Sequence, residues 1–345
     1  PKCSQDIFVS TKDIVSVVNG TEAKLGCQSK VDLQIEDLDN VTWVRSPRQI
    51  LTRGIFRVTE DARISTAPLV LLKRRDFSLF IRPAYFEDRG EYRCSVVYKD
   101  RVYIRTVELQ VLVPPKIIRS PVQFLKVDEG ASLEMDCLAI GHPTPETTWL
   151  VQGHRQTFDD NWPENAQTVM EAFAKFGGRV INLKGTLKIS RLHRSMNQRL
   201  VCLATNGVEP SDRRTVELSV RFPPNVRMAN RIIKQLVGKS TVLTCYVTAN
   251  PSGTIYWFFN HRVKIEASNC DILANEEKKY CLQEHRPPVN DVLSPVTSKL
   301  TIFRLNQMDF GDYICSVNTI MGEAYGITTL QGKYYKCCST AHSVV

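Results

Sequence analysis

The sequence predicts an all-β protein built as three tandem sandwiches, on three observations. Asp88-Arg89-Gly90-Glu91-Tyr92-Arg93-Cys94 is a D-x-G-x-Y-x-C run, with Cys27 and Trp43 upstream of it. The constellation returns as Asp309-Phe310-Gly311-Asp312-Tyr313-Ile314-Cys315 behind Cys245 and Trp257, and a weaker copy is Cys137, Trp149 and Cys202. Double prolines, Pro114-Pro115 and Pro223-Pro224, separate the copies. Cysteine, tryptophan, then a tyrosine two residues before a second cysteine is the framework of an immunoglobulin-like sandwich. The first cysteine sits on strand B and the tryptophan on strand C, while strand F supplies the bridging cysteine and a tyrosine hydroxyl bonded back to the backbone. The repeat therefore divides the 345 residues into units of roughly 100 residues each.

The first unit, residues 1–113, has widely spaced cysteines that leave room for extra strands between C and D, so it reads as variable-like. Thr42-Trp43-Val44 is expected as strand C and Leu79-Phe80-Ile81 as strand E. Val107-Glu108-Leu109-Gln110-Val111 alternates as strand G, with its odd positions toward the core. Arg63 stands where such sandwiches hold an arginine paired with the acid of the strand F motif, here Asp88.

The double prolines end the first two units. Proline donates no ladder hydrogen bond and holds its predecessor extended, so each junction is expected to be stiff and the three units to form an extended rod. The second unit, 114–222, and the third, 223–333, read as intermediate-type sandwiches, followed by a tail at 334–345. In the second, Leu200 replaces the strand F tyrosine, so that corner must be held otherwise. Residues 152–178 are polar and weakly patterned, as an insertion or loop is.

Eleven cysteines, most of them in paired positions, place the chain in an oxidising, extracellular compartment. The expected bridges are Cys27 to Cys94, Cys137 to Cys202, Cys245 to Cys315, and a small local one from Cys270 to Cys281. Cys3, Cys337 and Cys338 are left over. Asn19-Gly20-Thr21 and Asn40-Val41-Thr42 fit the glycosylation acceptor pattern, whereas Asn250-Pro251-Ser252 has proline in the excluded position. No segment reaches the roughly 18 apolar residues of a membrane span.

Catalysis requires a nucleophile with a base, paired carboxylates or a metal cluster, and none is legible. The six histidines lack metal-ligand spacing, no phosphate-cradling glycine run occurs, and Asp159-Asp160 reads as a solvated loop. The expectation is a non-enzyme without metal or cofactor. The net charge of +9 invites a polyanion reading, but the basic residues are spread over all three units. Their densest run is Lys73-Arg74-Arg75, and Asp76 follows it directly.

What remains is binding by surfaces. With Trp43 and Cys94 inward, alternation turns Thr42 and Val44, and Ser95 and Val97, outward. They would share an open C-C'-F-G face with Ile50, Leu51, Tyr103 and Arg105, and that face is the candidate partner-binding site. The alternative is that Ile50 and Leu51 pack under the C-C' edge, since a one-residue slip reverses every side chain.

The run from Trp43 to Thr52, Arg63, both strand F motifs, Val113-Pro114-Pro115, Thr205-Asn206-Gly207-Val208-Glu209-Pro210, Phe222-Pro223-Pro224 and Gly322-Glu323 recur in order. In these the chain resembles the three-domain neuronal surface proteins that include the insect Dpr-interacting proteins, lachesin, their nematode relatives and the vertebrate IgLON proteins. The resemblance implies homophilic or heterophilic recognition of immunoglobulin-domain proteins at the cell surface through the C-C'-F-G face of the first domain. It also implies a lipid anchor at a C-terminus beyond this chain. Ile50 and Leu51 match that family's apolar C' pair. At the two outward strand F places the family usually carries glutamine and asparagine, where this chain has Ser95 and Val97. The expected function is cell adhesion and recognition. The alternatives are a secreted or matrix protein holding sulfated polysaccharide on Lys73, Arg74 and Arg75, or the ectodomain of a growth-factor-type receptor.

Overall fold

The computed structural model describes residues 7–9, 13–31, 40–66, 75–152, 166–270, 278–288 and 291–333. Cys3, Lys73, Arg74, Asp159, Asp160, Cys337, Cys338 and, of the 152–178 stretch, residues 153–165 lie outside the described residues. The chain divides into two compact units, one comprising Pro1–Ser120, Asp136–Thr148 and Cys202–Arg214, the other Pro121–Met135, Trp149–Val201 and Thr215–Val345.

Among the described residues the Pro1–Ser120 segment of the first unit forms, in chain order, β1 (Ile14–Val18), β2 (Ala23–Leu25), β3 (Val41–Arg45), β4 (Gln49–Arg53), β5 (Phe56–Arg57), β6 (Ile64–Thr66), β7 (Leu79–Ile81), β8 (Gly90–Tyr98) and β9 (Arg101–Arg119). One sheet runs β1-β9-β8-β3-β4-β5 and the other β2-β7-β6. Between them lies a core of Leu25, Trp43, Leu79, Ile81, Val96, Val107, Leu109 and their neighbours. The cores form because alternate residues of each strand are apolar, and burying a Leu, Ile or Phe side chain is worth about 1.5–3 kcal/mol.

The strand F motif builds its corner as its residues dictate. Tyr92, fully buried, donates its hydroxyl to the Asp88 carbonyl at 2.6 Å. The Asp88 carboxylate accepts from Arg63 at 2.6 and 3.0 Å and from the Tyr85 amide, which closes the turn. Cys27 and Cys94 are bonded across the sheets. Trp43, opposite Cys94 in the ladder, donates its indole N–H to Phe77 at 2.8 Å.

Strand β9 does not stop at Val113-Pro114-Pro115. It continues to Arg119, and the strand Leu138–His142 pairs antiparallel with this second half. The missing proline donors fall where the ladder is already irregular, between Ile140 and His142. Asn206 fastens the junction: its Nδ2 donates to the Val113 and Pro143 carbonyls, each at 2.8 Å. Gly141 is required beside it, because a Cβ there would lie 2.9 Å from Asn206 and 3.0 Å from the Val113 carbonyl oxygen. The Asp212 carboxylate accepts from the Ile117 amide, and Phe86 meets the His142 ring edge-on at 5.1 Å.

In the second unit the corner at Leu200 is held without tyrosine. Leu200 fills the core, the Asn197 side chain accepts from the Val220 amide at 2.9 Å, and Arg194 makes a bidentate pair with Glu129. Strand Asp212–Met228 runs through Pro223-Pro224 and pairs with Thr241–Asn250. Asn250 Nδ2 donates to the Val220 carbonyl at 2.7 Å, repeating the device of Asn206. The third core gathers Leu243, Trp257, Leu300, Ile302 and Val317 around the Cys245 to Cys315 bridge. Tyr313 bonds the Asp309 carbonyl at 2.8 Å, and Lys279 takes the place that Arg63 holds in the first domain. Cys137 is bonded to Cys202, and Cys270 to Cys281.

Candidate recognition face of the first domain

The outward side of the β4-β3-β8-β9 sheet is the candidate site, and the ladder register fixes which side chains share it. Ile50, Val44, Arg93 and Thr106 form one row across the strands. Phe56, Arg53, Thr42, Ser95 and Ile104 form the next, and Val97 with Val102 the one nearest the β8-β9 turn. Ile50 is 50% exposed, Val97 37%, Val102 63% and Ile104 60%, and Phe56 is exposed as well. Large apolar side chains clustered on solvent-facing positions mark an interaction surface more often than chance exposure does.

Two corrections to the sequence reading follow. Leu51 is only 1% exposed and belongs to the core. The β3-β4 register shifts between Trp43 and Val44, so Leu51 takes the bulge position and turns inward while Ile50 faces out. On β9 the expected pair is off by one residue. Tyr103 packs against the core, and Arg105 is 9% exposed, its guanidinium paired with Asp13 at 2.8 Å. Their neighbours Val102 and Ile104 hold the outward positions. The signal was present in the sequence, because carrying the inward positions back from Val107 by twos gives Arg105 and Tyr103. Thr42, Val44 and Ser95 are half-buried on the outward side.

The tip of this face is a two-residue hairpin whose central residues, Lys99 and Asp100, have φ of 50° and 58°. That turn type favours Asn-Gly, since side chains with a Cβ are strained at positive φ. Perturbed ionisable groups lie around the Asp88 corner. Arg63 hydrogen bonding holds the Asp61 carboxyl below its usual value, and burial pushes the Tyr92 hydroxyl up to about 12. Among the described residues no group of His, Cys, Asp and Glu is placed to hold a metal ion. The arrangement suits docking of another surface.

Comparisons with known proteins agree with this architecture. The sequence pattern of the immunoglobulin V-set domain matches residues 10–113, and that of the immunoglobulin domain matches 114–206 and 223–318. The chain is 25% identical to protein amalgam of Drosophila melanogaster, over 93% of this chain and 90% of amalgam. It is 26% identical to lachesin of the same fly, over 79% of this chain and 67% of lachesin. To IgLON family member 5 of Mus musculus it is 29% identical, over 74% of this chain and 66% of that protein. Among solved structures it is similar to the complex of Dpr2 Ig1-Ig2 with DIP-Theta Ig1-Ig3, with a TM-score of 0.66 and 24% identity, covering 95% of this chain and 98% of the matched one. A titin I-band fragment, I67-I69, shares the fold at a TM-score of 0.53 and 16% identity, covering 94% and 97% of the two chains.

Proposed function

Because the chain belongs to the immunoglobulin family, with a V-set first domain and two further immunoglobulin domains, we propose that it recognises another immunoglobulin-domain protein through the outward β4-β3-β8-β9 face. It is an extracellular, cell-surface adhesion protein of the group that includes amalgam, lachesin and the IgLON proteins, and not an enzyme. The single observation that carries the finer reading is the run of exposed Ile50, Phe56, Val97, Val102 and Ile104 on one sheet face of the V-set domain. Support comes also from the similar Dpr2 and DIP-Theta structure, a complex between two such chains. Glycosylation at Asn19 and Asn40 and a C-terminal membrane anchor complete the proposal, and both asparagines are exposed.

The test is surface capture of the full chain by first domains of related immunoglobulin proteins and by the chain itself. Ile50→Asp is expected to abolish the capture that the wild type shows, with thermal unfolding nearly unchanged. Capture that survives Ile50→Asp would move the site off this face.

A further inference from the structure

Trp257, Tyr313, Cys315 and Val317 enter the core of the third domain. Alternation therefore turns their neighbours to the other side of the sheet made by Thr254–Phe259, Gly311–Thr319 and Gly322–Gly332, its C, F and G strands. Val263–Lys264 extends this sheet beyond C as C'. The ladder registers put Phe258, Ile314 and Ile327 in one outward row, and Tyr256, Ser316 and Tyr325 in the next. Both tyrosines are exposed. They stand on either side of the serine as two ridges flank a hollow, and tyrosine is enriched at the centres of protein interfaces.

The charges of the face sit at its opposite borders. Lys264 pairs with Phe258 across C and C', and its ammonium lies 4.4 Å over the Tyr256 ring. Glu323 is on G, opposite Asn318, whose side-chain amide donates to it at 2.7 Å. Pairing of G with the next strand, Ile232–Gln235, begins only at Thr329, so Glu323 borders the sheet.

We propose that a second copy of this chain docks on this face, side by side and pointing the same way. A two-fold axis between C and F and parallel to them lays each copy's C over the other's F, and each C' over the other's G. Tyr256 of each copy then meets the Ser316 hollow of the other in the same row. Lys264 of each reaches the border that carries Glu323 of the other. Under that one operation the face is complementary to itself in shape and in charge. An axis across the strands would instead set C' on C' and bring both Lys264 side chains to one edge, where like charges repel as water leaves. This contact is separate from the first-domain face and does not rest on it.

The test uses the full chain carrying Ile50→Asp, so that the first-domain face makes no contribution, and follows sedimentation over a concentration series. Lys264→Glu and Glu323→Lys are added separately, and circular dichroism checks that each folds, as exposed positions allow. The parent is expected to form dimers. Each reversal alone should weaken them at least about tenfold, because in a symmetric pair it sets like charges together twice. Mixed in equal amounts, the two reversed chains should regain dimers about as tight as the parent's, since every lysine then meets a glutamate again. Tyr256→Ala, which removes the ridge without touching charge, should also weaken the dimer at least about tenfold. Absence of parent dimers overturns the proposal, as do reversals or a Tyr256→Ala change without effect. A mixture as weak as its components overturns it too. Wild-type dimers that Ile50→Asp abolishes assign self-association to the first domain and have the same consequence.

Discussion

Ile50 stands directly opposite Val44 across the β3-β4 ladder, and both turn to the outward side, while the next residue, Leu51, enters the core. Two adjacent apolar residues thus have opposite duties. Leu51→Ala is expected to destabilise the protein by about 2–5 kcal/mol, as the loss of a buried side chain does. Ile50→Ala should cost less than about 1 kcal/mol. Urea or thermal unfolding of the full chain measures both, and equal costs would show that Ile50 also belongs to the core.

The strand F tyrosine couples stability to alkaline pH. Tyr92→Phe removes the bond to the Asp88 carbonyl and should cost about 1–2 kcal/mol near neutral pH. The folded-state value of Tyr92 is raised from 10.0 to about 12 by burial. Its contribution is therefore full below pH 10 and is lost as pH rises toward 12. Wild type is expected to lose stability over that window, and Tyr92→Phe to lose less. Parallel alkaline unfolding curves would contradict this.

Asn206 fastens the Val113 and Pro143 carbonyls with one side-chain amide. Asn206→Ala should speed hydrogen exchange of the amides flanking Val113 and Pro143, and lower stability by about 1–2 kcal/mol. Asn206→Asp is expected to be as harmful, since a carboxylate cannot donate to a carbonyl. Unchanged exchange in Asn206→Ala would deny the fastening role.

The hairpin tip is strained at Lys99 and Asp100. Replacing the pair by Lys99→Asn with Asp100→Gly is expected to raise stability by about 1 kcal/mol, because that dipeptide fits two positive φ angles. If the tip takes part in recognition, the same change should weaken capture while the melting temperature rises. A fall in melting temperature would show that the turn is not strained.

Much of this was legible in the residues. Three cysteine and tryptophan constellations and two D-x-G-x-Y-x-C runs specify three immunoglobulin-like domains, because each motif residue has one physical task in that sandwich: a corner, a buried hydroxyl with a fixed acceptor, a bridge. The Arg63 and Asp88 pair was likewise readable from position. The site was only half readable. Alternation says which residues share a side, but it cannot reveal the bulge that sends Leu51 inward beside an outward Ile50. The inward place of Arg105 was readable by counting back from Val107, but not the Asp13 carboxylate that pairs with it there. The same holds for the junctions, where the N-G-V-x-P and V-P-P runs could be noticed but not joined, since Asn206 and Val113 meet only when strands distant in sequence lie together. The fold and its disulfide chemistry were written in local motifs and paired cysteines. Which side chains share the outward β4-β3-β8-β9 side came from the tertiary structure alone, because facing depends on ladder register, and register is set by pairing between strands far apart in the chain.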